Sequence, residues 1–143
     1  MPDNPLTRTA PAPSPGIVHL GLGAFFRAHG AIYTQQAMAK AGGDWGIIGV
    51  SLKSPTTRDA LQPQGAVYHA LELAPDGAEL LLVTSLSAIL VAPEDPSAVL
   101  AAMADPSVKI VSLTVTEKGY CHHPASGALD RDHPDIIHDL THD

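Results

Sequence analysis

The stretch Ile17-Val18-His19-Leu20-Gly21-Leu22-Gly23-Ala24-Phe25-Phe26-Arg27 decides the fold. Its first four residues are β-compatible and too few for a helix, so they read as a short buried strand. Gly21-Leu22-Gly23 is a turn. From Ala24 to Ala41 no proline interrupts a run of mostly helix-compatible residues, which Gly42-Gly43 stops. Phe25, Ala28 and Ile32 fall at i, i+3 and i+7 and form the expected inward face of that helix. Trp45 to Leu52, with Gly46-Ile47-Ile48-Gly49-Val50 inside it, is a second compact run with β-branched residues. Strand, helix and strand in this order make a βαβ unit, which places the two strands side by side and parallel.

Outward toward the N-terminus, five of the first fifteen residues are proline. Fixed φ angles and missing donors make residues 1–15 an extended tail, ahead of a domain covering 16–143. Downstream, Ser54 to Leu61 reads as a loop with one helical turn. Val67 to Leu73 alternates in polarity, Pro75-Asp76-Gly77 supplies a turn, and Leu80 to Leu86 returns, giving an antiparallel hairpin. Ser87 to Ala92 either continues that strand or bends away. Asp95 caps a helix opened by Pro96, with Val99, Leu100 and Met103 facing inward and Asp105-Pro106 as its end. Val108 to Val115 is a further strand, expected to be parallel and buried, and Pro134 to Leu140 starts another helix. Trp45, Phe25 and Met103 are expected in the core. The fold class is therefore α/β: a mostly parallel sheet with an inserted hairpin.

Composition narrows the function classes. The 143 residues are 45% hydrophobic, which suits a domain with a buried core, and no apolar run reaches the length of a membrane span. The net charge of −7 and the scattering of only eight Lys and Arg residues argue against a nucleic-acid partner. Cys121 is the sole cysteine, so neither an intrachain disulfide nor a cysteine-based zinc cluster can form. With no export signal in the first residues, the chain reads as cytoplasmic. Nothing in the sequence sets an oligomeric state.

A glycine turn between strand and helix is the setting of a dinucleotide site. The first glycine permits the tight turn, the second lets backbone approach a pyrophosphate, and the helix start offers free N–H groups. Arg27 would add charge there. The third glycine of the usual pattern would fall at Phe26, and a tight strand-to-helix connection without a ligand explains the two present glycines about as well. An NAD site also places Asp or Glu at the end of the second strand, to bind the ribose 2′-hydroxyl. Here the strand ends Ser51-Leu52-Lys53-Ser54, followed by Thr56, Thr57 and Arg58. These residues would not repel a 2′-phosphate, so NADP use stays open beside NAD; Lys53 and Arg58 also fit as ordinary solvated loop charges.

Read with its neighbours, Gly21-Leu22-Gly23-Ala24-Phe25-Phe26-Arg27-Ala28-His29 resembles the N-terminal signature of the mannitol dehydrogenase family of long-chain polyol and sugar-acid dehydrogenases. The likeness extends through Asp44-Trp45-Gly46-Ile47-Ile48-Gly49-Val50 and Thr114-Val115-Thr116-Glu117-Lys118-Gly119-Tyr120-Cys121. Members commonly have His where Phe26 stands and Gln where Gly30 stands. The resemblance implies a Rossmann-like dinucleotide-binding fold and metal-independent hydride transfer between NAD and a polyol or sugar acid. It implies a cofactor site at Gly21, Gly23, Ala24, Phe25, Arg27, Lys53 and Thr116. Glu117 would then be an accessory catalytic group gating proton or water passage, with the general-base lysine on a helical domain outside these residues. A complete fold of this kind has two βαβαβ halves, so an incomplete N-terminal piece is expected here.

Two other readings compete. One is a nucleotide-binding module without turnover. The other is a metal-binding module built from the histidines and aspartates after Cys121, in which His138 and His142 have the i, i+4 spacing of a helical chelate. No His-Glu-x-x-His pattern accompanies them, and the expectation is that no metal is bound. Cys121 itself reads as a small packing residue.

Overall fold

The computed structural model describes residues 6–142, and the side chains of Glu117 and Lys118 lie outside the described residues. The chain divides into two compact units, one ending at Leu113 and one starting at Thr114.

In the first unit, β1 (Pro15–Leu20) leads through the glycine turn into α1 (Ala24–Ala28) and α2 (Gly30–Ala41), then β2 (Gly46–Ser51). After α3 (Thr56–Leu61) come the hairpin strands β3 (Tyr68–Ala74) and β4 (Gly77–Val83), then β5 (Leu86–Val91), α4 (Pro96–Ala104) and β6 (Ile110–Leu113). The main sheet has the order β5-β2-β1-β6 with every pair parallel, and β3-β4 form a separate antiparallel pair. The α/β class with an inserted hairpin is therefore what the chain adopts. Ser87 to Ala92 does not continue the hairpin: the chain breaks at Thr84 and Ser85, and β5 joins the parallel sheet against β2.

Alternation along the strands splits the core into two faces. Ile17, Ile47, Leu86 and Ile89 pack with Phe26, Ala31, Tyr68 and Val83 under α2 and the hairpin base. Val18, Val50, Ile48 and Leu90 pack on the other side against Val99, Ala102 and Met103 of α4. Each fully buried aliphatic side chain contributes roughly 1.5–3 kcal/mol through removal from water. Asp95 caps α4 by accepting the Ala98 N–H at 2.9 Å, and Pro96 opens it, as its local sequence requires.

Several expectations are corrected. The helix after the turn is broken at His29, whose φ of −129° and ψ of −72° lie outside the helical region. The Phe26 ring turns inward and stacks on His19 with centroids 3.4 Å apart, and it fills the space where a Cβ on Gly30 would sit, 2.5 Å from the ring. Phe26, Ala31 and Ile32 thus form the inward face, whereas Phe25 is 67% exposed and is not core, and Ala28 is exposed. On α4, Leu100 points to solvent and Ala102 takes its place in the stripe. β6 is parallel as expected but not buried: it is an edge strand, with Ile110, Val111 and Leu113 exposed. Trp45 is half-buried, its ring carrying the Lys109 ammonium 4.5 Å from the centroid.

The proline-rich segment ahead of β1 is fastened to the sheet. Arg8 donates from Nε to Gly65 O at 2.7 Å, from Nη1 and Nη2 to Thr84 O at 3.1 Å, and from Nη2 to Leu86 O at 2.7 Å. Thr84 O lies in the break between β4 and β5, Leu86 O at the start of β5, and Gly65 O in the turn ahead of β3, so one side chain ties three segments together. Pro13 O accepts the Ser87 hydroxyl and Ser14 O accepts the Gly46 N–H. The second unit holds a 3-10 turn (Glu117–Tyr120), a loop closed by the antiparallel bridge His122–Leu129, and α5 (Pro134–Thr141). No helix among the described residues is long and apolar enough to cross a membrane.

Replacing Arg8 by Ala leaves three carbonyls short of a charged donor and is expected to lower unfolding free energy by about 2 kcal/mol. Arg8→Lys, which cannot reach all three, should recover only part of it; urea denaturation of the three proteins measures the difference.

Candidate functional site

Strand order places a topological switch point between β1 and β6: the chain runs from β1 through β2 to β5, then crosses back to the far side of β1. Ligands of open parallel sheets bind beyond the carboxyl ends of strands at such a point. The glycine turn stands there, at the end of β1.

Its geometry is set by backbone. Gly21 has φ +92°, a region that side chains rarely adopt, so the turn requires glycine at this position. The Gly21 and Leu22 N–H groups both donate to Val50 O, at 2.9 and 3.0 Å, which ties the turn to the end of β2. Those two amides are therefore engaged, and the amides available to an anion are those of the first turn of α1, which have no intrahelical acceptor. Gly23 is different. Its φ of −80° suits any residue, and a Cβ there would meet nothing nearer than Gly21 O at 3.8 Å. Neither backbone conformation nor internal packing excludes a side chain at Gly23, and the position opens onto free space at the helix start.

Gly21, Leu22, Gly23, Ser51, Leu52, Lys53, Ser54 and Thr57 together line an open cleft of about 280 Å³. Of the residues singled out from sequence, Gly21, Gly23 and Lys53 meet here, and Ala24 is exposed at the start of α1 beside it. Arg27 is a brace as well as a candidate ligand. Its Nη1 donates to Leu22 O at 3.0 Å and to Thr57 Oγ1 at 3.3 Å, using part of the five donors of the guanidinium. Tyr68 donates its hydroxyl to Arg27 O at 2.7 Å, and burial pushes that phenol's pKa well above its ordinary value. Phe25 projects into solvent and tilts against the His29 ring at 4.8 Å. Thr116 caps the 3-10 turn of the second unit with its carbonyl accepting the Gly119 N–H at 2.9 Å. Glu117 opens that turn, and its side chain lies outside the described residues.

Sequence reasoning named Arg58 as a possible phosphate partner, but its guanidinium is held by both oxygens of Glu94 and by Asp59. These carboxylates raise its pKa further and leave Lys53 as the cation lining the cleft. Thr57, read from sequence as one of the residues compatible with a 2′-phosphate, anchors Arg27 through a contact across 30 positions that no local signal announces. At the i, i+4 pair the His138 and His142 rings stack face to face at 4.3 Å, and His142 Nδ1 sits against His138 O.

The fold, the switch point and the cradled turn define a dinucleotide-binding α/β domain of the Rossmann type. Comparison with known proteins takes this further. Residues 15–142 match the family model described as the mannitol dehydrogenase Rossmann domain, and the chain belongs to the mannitol dehydrogenase family. An uncharacterized oxidoreductase of Escherichia coli, YeiQ, is 46% identical over 126 residues, covering 87% of this chain and 26% of that protein. Mannitol 2-dehydrogenase of Aspergillus niger is 42% identical over 139 residues, 95% of this chain and 28% of the relative. Among solved structures, Pseudomonas fluorescens mannitol 2-dehydrogenase in ternary complex with NAD and D-mannitol superposes with a TM-score of 0.75 at 39% identity, over 91% of this chain and 27% of that one. A substrate-free D-sorbitol dehydrogenase superposes with a TM-score of 0.73. The chain thus spans about a quarter of the length of the relatives it matches.

Directly beneath the turn, His19 is 2% exposed, with Nδ1 2.9 Å from Ser112 Oγ. Desolvation lowers its pKa below the ordinary 6.5, and a backbone hydrogen bond to Gly21 opposes this in part. The unfolded chain therefore takes up this proton first, so His19 contributes stability that is present above pH 6.5 and is lost as pH falls toward its folded pKa. Thermal melts between pH 7.5 and 5 should show a decline that is shallower in His19→Gln. Equal slopes would assign the decline to other groups.

Proposed function

We propose that this chain is the N-terminal dinucleotide-binding part of an NAD-dependent oxidoreductase that moves a hydride between nicotinamide and a secondary alcohol or ketone of a polyol or sugar acid. The observation that carries it is Gly23: a glycine with no internal reason to be one, at a switch-point turn, beside open space. Such a position has a use if a pyrophosphate comes close to the backbone. Gly21 shapes the turn, Gly23 and Ala24 present backbone to the phosphates, and the remaining donors of Arg27 add charge. Lys53 reaches the ribose side, Phe25 lies beside the phosphates, and the family resemblance adds Thr116 to the cofactor-binding residues. Bound nicotinamide supplies or accepts the hydride. Glu117, at the start of the turn after β6, is an accessory group that passes a proton or water at the reacting hydroxyl, while the general base belongs to a helical domain beyond these residues. No metal enters the transfer, and the reading places the protein in the cytoplasm.

The relatives' length supports a second, narrower reading for the isolated chain: nucleotide binding without turnover. Substrate identity, mannitol or another polyol or sugar acid, would then be set by the remaining domain. NAD is favoured over NADP by the family resemblance, although Ser51 stands where an NAD site would carry an acid.

Fluorescence titration should show NADH binding more tightly than NADPH, and Gly23→Ala weakening NADH by at least about tenfold, or roughly 1.4 kcal/mol. The same substitution should leave unfolding free energy within about 0.5 kcal/mol of the parent, because Ala tolerates this φ. Binding that survives Gly23→Ala, or a large preference for NADPH, would contradict the reading. In a chain that also carries the helical domain, Glu117→Gln should slow turnover roughly 10- to 100-fold with NADH affinity unchanged. Equal turnover across pH would remove Glu117 from the chemistry.

A further inference from the structure

Cys121, His133 and Asp135, all in the second unit, bring a thiol sulfur, an imidazole nitrogen and a carboxylate oxygen within 4.8 Å of one another. We propose that these three side chains form a zinc site that fastens the loop after Cys121 to the first turn of α5, separate from hydride transfer.

The donors are held by backbone on both sides. The loop is closed by the His122–Leu129 bridge and by His123 N–H donating to Ala128 O at 2.9 Å. Asp130 N–H donates to Cys121 O at 2.8 Å, and His133 N–H donates to Asp130 O at 3.2 Å. These bonds carry the chain from Cys121 directly back to His133, so eleven intervening residues do not separate the two side chains. Cys121 itself is held in the left-handed region, φ +45° and ψ +52°, a conformation unfavourable for a residue with a Cβ. The thiol is free of any disulfide and half-buried.

His133 occupies the N-cap of α5, a position that favours Ser, Thr, Asp or Asn. Its Nδ1 accepts the Asp135 N–H at 3.2 Å and lies 3.8 Å from Asp135 Oδ2. That bond uses the single Nδ1 lone pair, so zinc at this nitrogen would replace the Asp135 N–H as its partner. Ligand atoms about a bound zinc lie roughly 2.0–2.3 Å from the metal, so the trio needs only small side-chain rotations to close on it. Sulfur, nitrogen and oxygen together select zinc over magnesium or calcium, which take oxygen alone. One thiolate and one carboxylate balance the two positive charges, and water completes a tetrahedron.

The test uses the chain stripped with chelator and titrated with zinc alone by calorimetry, then with cobalt as an optical substitute. One zinc per chain is expected, with proton release from the thiol, and magnesium should not compete. Cys121→Ser and His133→Ala should each weaken zinc more than about tenfold, while His138→Ala leaves it unchanged. Far-UV circular dichroism checks that each variant is folded. Should Cys121→Ser unfold, the parent's cobalt spectrum decides, because a sulfur-to-cobalt charge-transfer band can arise only from the sole cysteine. Absence of stoichiometric uptake, uptake without that band, or uptake lost in His138→Ala and kept in Cys121→Ser would overturn the proposal.

Discussion

The carbonyl oxygen of Val50 accepts two backbone N–H groups, from Gly21 and Leu22, and much of the first unit depends on that shared acceptor. It closes the turn after β1 onto the end of β2, fixing where α1 begins and where its first amides open. Leu22 is thereby held in the core against the sheet, while Gly23 faces outward. The arrangement requires a residue that accepts φ +92° at position 21, and it leaves the space above position 23 open. Arg27 and Thr57 brace the same turn from its other side. The cleft is a consequence of how two strands and a turn are hydrogen-bonded, before any ligand is considered.

What was legible in the sequence is what local chemistry specifies. The β1 run, the glycine turn, the Gly42-Gly43 stop, the Pro75-Asp76-Gly77 turn and the Asp95-Pro96 helix start each carry their own signal and each stand where that signal points. The misreadings have a common cause, which is contact across the chain. A periodicity of 3.6 chose Phe25 over Phe26 as the inward aromatic, but Phe26 stacks on His19 and the helix is broken at His29. Phe26 and Gly30 are one packing solution: the ring occupies the volume that any side chain at position 30 would need. The departures from the family pattern at these two positions are therefore coupled. The anchoring by Arg8 carries no local signal, because its partners are backbone carbonyls 57 or more positions away.

The candidate site was readable to a similar degree. Gly21, Gly23 and Lys53 are brought to one cleft, because they sit at the ends of adjacent parallel strands. Arg58, chosen for its charge alone, turns out to be engaged by Glu94 and Asp59. Charge is visible in a sequence, but the partner that neutralises it is not. The histidines and aspartates after Cys121 were equally visible, yet the i, i+4 pair stacks, and the grouping that brings three ligand types together pairs Cys121 with a helix cap twelve positions on.

The most direct test of the central claim is an amide chemical-shift map of this chain titrated with NADH. Shifts concentrated at the turn from Gly21 to Arg27 and around Ser51 to Thr57 are predicted, with α4 and the Arg8 anchor unaffected. Saturable binding whose shifts fall elsewhere, or no saturable shift at millimolar NADH, would contradict the assignment of the glycine turn as a dinucleotide site.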